Sequence, residues 1–164
     1  YSDQRLLAAK ARGTEALLAE ARTQLKAHAA DIRHRFNLAG DLKMEFNPFT
    51  IWRNRKLARE LKRLERAHGA DAVANRLPIL VDENPTARAL YTAGIEFYIT
   101  VNRFPEALAL TNQARARFPR IVHFELCEEG LQAIIAAPTV ERKEQQKVQL
   151  ESDLTALRWA LLSR

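Results

Sequence analysis

A few groups of side chains in this sequence sit at spacings that chemistry can use. His123 and Cys127 are four residues apart. On a helix that spacing sets them on one face, as two metal ligands or a thiol–imidazole pair would be. Cys127 is the single cysteine, and no third ligand follows at a metal-binding spacing, so the pair reads as part of a half-buried helix face. His28, Asp31 and His34 form a second group. Helical positions six apart point about 120° away from each other, so these imidazoles would not converge on one ion. The acid pairs Asp82–Glu83 and Glu128–Glu129 fall at helix edges, where solvation and helix-dipole pairing account for them better than acid–base catalysis.

The motifs that mark common catalytic sites are missing. The chain has no glycine-rich phosphate loop, no H-E-x-x-H, no C-x-x-C and no G-x-S-x-G, so neither a cofactor nor a metal is expected. A different surface stands out. Arg55, Arg59, Lys62 and Arg66 fall within a narrow arc of one helix, flanked by Lys56 and Arg63, and Trp52 projects on that basic side. A tryptophan beside a basic stripe suits a protein interface or a nucleic-acid platform; the alternative is that Trp52 tucks under the first helix. The charge agrees with a basic face. Residues 1–80 carry 16 Lys and Arg against 9 Asp and Glu, and residues 81–164 carry 10 against 11.

The elements that must position these residues are helical. With 47% hydrophobic and 28% charged residues the chain has the make-up of an ordinary globule. Ala, Leu, Arg, Glu and Lys, which lose little freedom in a helix, dominate it. No apolar stretch approaches the ~18 residues of a membrane span, and no secretory leader is legible.

Thr14 is positioned to cap a first helix to about Phe36, with residues 1–13 an extended N-terminal arm. Asn47-Pro48 opens a helix that Gly69 ends, with Leu57, Leu61, Leu64 and His68 inward. A short helix from Asp71 ends near Pro78. Asn84-Pro85 starts the next, which carries Tyr91, Ile95 and Tyr98. Further helices run from Pro105 to Phe118 and over 121–136, and Pro138-Thr139 caps a last one striped by Leu150, Leu154, Leu157 and Leu161. That makes about seven helices, with no strand-like alternation.

Pro85 and Pro119 are 34 residues apart. Between them Tyr91, Tyr98, Ala107 and Ala114 match the aromatic and small positions of a tetratricopeptide repeat, though Gly94 sits one place early and Thr111 replaces a large apolar residue. The expected architecture over 1–164 is one all-α domain of stacked antiparallel helical hairpins, with degenerate tetratricopeptide- or pentatricopeptide-like repeats. Such arrays offer surface for binding.

Three segments carry a resemblance to a known family. They are Met44-Glu45-Phe46-Asn47-Pro48-Phe49 with Ile51-Trp52-Arg53-Asn54-Arg55, then Leu77 to Asn84, then Arg115-Ala116-Arg117-Phe118-Pro119-Arg120. Together they resemble the small accessory subunits that euglenozoan mitochondrial ATP synthases add to their catalytic head. The resemblance implies a pentatricopeptide-like protein on the outside of the α subunit, on the matrix side of the inner membrane, with no part in nucleotide chemistry. The basic arc and its tryptophan, Trp52, Arg55, Arg59, Lys62 and Arg66, are the expected partner-binding residues. Two rivals stand beside it: an adaptor that grips a peptide, and an RNA reader of one base per repeat. The RNA reader needs more repeats than the two degenerate units found here.

Overall fold

Proline, asparagine and glycine punctuate the chain much as their backbone preferences require, and the computed structural model is all-helical. It describes residues 2–43 and 48–162, in which eight helices and no strand occur. They are α1 (Ser2–Arg35), α2 (Ala39–Leu42), α3 (Pro48–His68), α4 (Ala70–Glu83), α5 (Arg88–Thr100), α6 (Phe104–Arg117), α7 (Val122–Ala136) and α8 (Val140–Leu162). The helix beyond the expected seven is α2, a single turn. Asn47, the expected cap of α3, lies outside the described residues. Gly69 ends α3 at φ 85°, a left-handed conformation open to glycine without strain. Thr139 caps α8, its hydroxyl accepting the Arg142 N–H at 3.1 Å.

Several expected boundaries are corrected. The first helix starts at Ser2, so residues 2–13 are helical and not extended. Leu, Ala, Lys and Arg fill 5–12, and their helix propensity outweighs the cap signal of Thr14, whose hydroxyl instead donates back to the Lys10 carbonyl at 3.0 Å. Asn84 closes α4 and does not open α5, its side-chain amide and backbone N–H both donating to Leu80 O at 2.9 Å. His68 is exposed, because α3 ends there and the chain turns away at Gly69.

The fourth helix also runs past its expected end, through Pro78 to Glu83. A proline inside a helix leaves the carbonyl four residues back without its donor. Here that carbonyl is Ala74 O, and it accepts the Tyr98 hydroxyl at 3.0 Å in a buried contact. The missing helix bond is supplied by the neighbouring helix. Tyr98→Phe should therefore destabilise the fold by about 1–2 kcal/mol. In a Pro78→Ala background, which restores the N–H, most of that loss should vanish. Urea unfolding of the four proteins in a double-mutant cycle measures it; equal losses in both backgrounds would refute the exchange of donors.

Consecutive helices joined by short turns fold back on each other, giving the hairpins α3–α4, α5–α6 and α7–α8. Their shared core includes Tyr91, Ile95, Phe124, Leu131, Ile134 and Leu150. Ala107 and Ala114 are fully buried, which lets α5 and α6 approach closely, and a Cβ on Gly94 would lie 2.9 Å from Leu110 Cδ2. Thr111 is fully buried too; its hydroxyl donates to Ala107 O at 2.7 Å, so a polar side chain fits a position where an apolar one was expected.

A second cluster joins α1 to α8 through Ala29, Ile32, Ala156, Leu157 and Ala160, so the first helix lies beside the last. From there residues 36–43 return across α7. The Asp41 carboxylate accepts the N–H groups of Val122 at 2.8 Å and His123 at 3.0 Å, capping α7 from far away in sequence. Arg88 donates to the carbonyls of Gly40 and Asp41, each at 3.1 Å. Only glycine fits at 40, since a Cβ there would stand 2.6 Å from Arg120 O.

Candidate functional site

The third helix presents two unlike faces. Leu57 is buried, and Leu61 and Leu64 pack against the same core. At the edges of that face Arg53 donates to Thr86 Oγ1 at 3.4 Å and Glu60 holds Arg76 at 3.3 Å. Turned outward are Arg55, Arg59, Lys62 and Arg66, all exposed, with Lys56 and Arg63 beside them. Among the described residues none of these six cations forms an ion pair. Arg55–Arg59, Arg59–Arg63 and Lys62–Arg66 are like-charged neighbours at i,i+4, each unfavourable by roughly 0.2–0.5 kcal/mol. Packing of the leucine face holds the helix against that repulsion, and an anionic surface would relieve it.

Trp52 stands on this outer side and is 54% exposed; it does not tuck under the first helix. Lys56 Nζ lies 5.2 Å from its ring centroid, a cation–π contact, and the Phe49 ring is 6.0 Å away. With Phe49 at 64% and Ile51 at 41% exposure, the first turn forms an apolar knob at one end of a basic stripe about 20 Å long. Thus the structure brings together all five expected residues. Phe49 and Ile51 were missed, although both are apolar side chains that fall off the Leu57–Leu61–Leu64 face.

The His123–Cys127 pair gains a third member that spacing did not suggest. His123 Nε2 lies 3.5 Å from Glu96 Oε1 of α5, and Cys127 Sγ lies 3.8 Å from His123 Nδ1. The order is carboxylate, imidazole, thiol, as in a nucleophile with its base and orienting group. The thiol, however, is fully buried. Burial holds Cys127 far above its ordinary pKa, and the Glu96 charge adds to this. A neutral thiol closed off from solvent does not attack a substrate. Nor do the three groups converge on one point, because Glu96 and Cys127 meet opposite nitrogens of the ring.

Glu96 itself binds α5 to its neighbours, since Arg158 of α8 also reaches it at 2.6 Å. Burial alone would raise the carboxyl, but the neighbouring His123 imidazole and the charge of Arg158 outweigh it and hold the group below its ordinary value. A carboxyl depressed in the folded state adds stability above its unfolded pKa, and this is lost as pH falls through the depressed value. Glu96→Gln should therefore lower stability at pH 7, and the difference should shrink as pH falls below the ordinary glutamate value of 4.5. Thermal melts of both proteins from pH 7 to pH 3 check this; a difference that does not shrink as pH falls would assign Glu96 a packing role.

The remaining candidates are tied up in pairs. His28 meets Asp153 of α8 at 3.0 Å and Asp31 meets Arg35 at 3.5 Å, while His34 is exposed and apart. Arg115 bridges Glu128 and Glu125. Among the described residues no three His, Cys, Asp or Glu side chains form a metal-binding group, and no helix is long and apolar enough to cross a membrane. No protein-family model, curated protein or solved structure matches this chain.

Proposed function

We propose that this protein is a non-catalytic structural subunit that works by binding another protein through the outer face of α3. The observation that carries the proposal is the exposed Trp52 beside Arg55, Arg59, Lys62 and Arg66, cations with no ion-pair partner among the described residues. An aromatic anchor rimmed by charge is the usual composition of an interface hot spot. On the resemblance of the three segments, the partner is the α subunit of the mitochondrial ATP synthase catalytic head. The place of action is then the matrix side of the inner membrane. Of those segments, Leu77, Leu80 and Val81 are core residues, so their part is to hold the hairpins. Phe49, Ile51, Trp52 and Arg55 are among the residues of those segments that are open to a partner.

Affinity purification of the tagged protein from its source is the test. ATP synthase subunits, the α subunit among them, should co-purify in fixed ratio. If they are lacking, the partner is wrong, and a peptide-binding adaptor becomes the reading to pursue. The same basic stripe would attract RNA through counterion release alone, so any RNA binding should collapse as salt rises. Tight, sequence-selective RNA binding at physiological salt would displace the protein-binding proposal.

A further inference from the structure

We infer that the N-terminal part of α1 is a second docking surface, made to receive an amphipathic helix from a partner protein. Residues 3–24 are exposed without exception, so roughly 33 Å of helix stands clear of the body. This stretch gains no stability from tertiary packing, the usual source of helix stability in proteins, and it contains Gly13, which lowers helix propensity. Its surface is nevertheless patterned. Leu7, Ala11, Thr14, Leu18 and Ala21 recur at alternating steps of four and three residues, the seam of a helix that packs against another helix. Leu7 is 65% and Leu18 53% exposed. The Thr14 hydroxyl is consumed by Lys10 O within the helix, so what Thr14 can offer a neighbour is its methyl group.

The same line continues into an interface that is already made. Leu25, Ala29 and Ile32 continue the same face by steps of four, four and three, and they pack against α8 through Ala156, Leu157 and Ala160. The occupied part shows what kind of surface the empty part fits: a helix presenting small and branched apolar residues. Flanking charges specify it further. Lys10 borders one side of the seam, and Glu15 and Arg22 border the other. The partner helix should carry acids opposite Lys10 and Arg22 and a base opposite Glu15.

A second copy of this chain fits less well. An antiparallel copy that stacks Leu7 on Leu18 sets Lys10 beside Leu17 and Glu15 beside Ala8, so neither flank gains an opposite charge. A parallel copy would run into the part of the seam that α8 fills. This docking surface is independent of the α3 face.

Site-specific photocrosslinking in the full chain tests it. Benzoylphenylalanine is placed at 7, 11 or 18 on the seam and at 12 or 16 on the opposite side. The tagged protein is irradiated in its source extract, and adducts are mapped by mass spectrometry. Seam positions should yield adducts to one partner segment at three- and four-residue spacing, with none from 12 and 16. Leu7→Asp with Leu18→Asp should leave the melting temperature unchanged, both residues being exposed, and weaken the complex at least tenfold. Gly13→Ala, which meets no atom within 4 Å, should tighten it roughly two- to fivefold by ordering the helix in advance. Adducts to a second copy, equal adducts from both sides, no adducts, or full binding by the double variant would each overturn the inference. Adducts to a protein outside the ATP synthase would remove only the proposed partner. Co-purification of the catalytic head without adducts from α1 would remove only this surface.

Discussion

Replacing Asp41 by alanine should lower the stability of the fold by about 2–3 kcal/mol, the sum of a lost helix cap and of buried donors left without an acceptor. The carboxylate is only 7% exposed and accepts two N–H groups at the start of α7, from Val122 and His123. No other acceptor is bonded to those two groups among the described residues, and the positive end of the α7 dipole lies against the same carboxylate. For a chain of this size the melting temperature should fall by roughly 5–10 °C. Asp41→Asn keeps the shape and one acceptor oxygen but loses the charge, so it should cost less than alanine. Urea unfolding followed by circular dichroism measures both. A loss below about 0.5 kcal/mol for alanine, the range of an ordinary surface change, would mean that residues 36–43 are held mainly by Arg88 and Leu38.

Trp52→Ala should weaken partner binding by on the order of 2 kcal/mol or more, about thirtyfold, without altering the melting temperature. The two readouts separate because the indole is more than half exposed and its contacts are with Phe49 and Lys56, neither of them in the core. Charge reversal of Arg59 and Lys62 should act differently. These exposed cations have no ion-pair partner to lose among the described residues, and their field acts at a distance, so reversal should chiefly slow association and change its salt dependence. Binding to the proposed partner, the purified ATP synthase catalytic head, by surface plasmon resonance at two salt concentrations resolves on-rate from off-rate. A Trp52→Ala protein that binds normally would move the interface off α3.

Local signals in this chain were legible and distant ones were not. The Leu150–Leu154–Leu157–Leu161 stripe named the inward face of α8 because helical period depends on nothing outside the helix. The same period placed Trp52 and the cations opposite Leu57 and Leu61. Gly69 and Thr139 behave as their backbone chemistry requires. Pro78 misled because its effect on α4 depends on a hydroxyl 20 residues further on, at Tyr98. The Asp41 cap joins residues 81 apart, and Glu96 reaches His123 from another helix; neither leaves a mark at short range. Asn84-Pro85 could open one helix or close another, and the choice was made by Leu80 O. In the candidate site, the basic arc was visible from spacing alone. Whether Trp52 faces water turned on where α1 lies, which no local pattern specifies.

A ribosome makes α1 first and α8 last, yet each is the other's packing partner. Ala29 and Ala156, which share one cluster, are separated by 127 residues. At typical synthesis rates α1 waits roughly 6–25 s for the helix it needs. In that interval the hairpins α3–α4 and α5–α6 can close on contacts made within a few dozen residues, whereas Leu25, Ala29 and Ile32 stay open to water or to a chaperone. Joining the two ends of the chain is then the slow, long-range event of folding, set by loop closure and not by helix formation. Ile32→Val should leave the early hairpins untouched and report, through the unfolding rate, on that final closure alone.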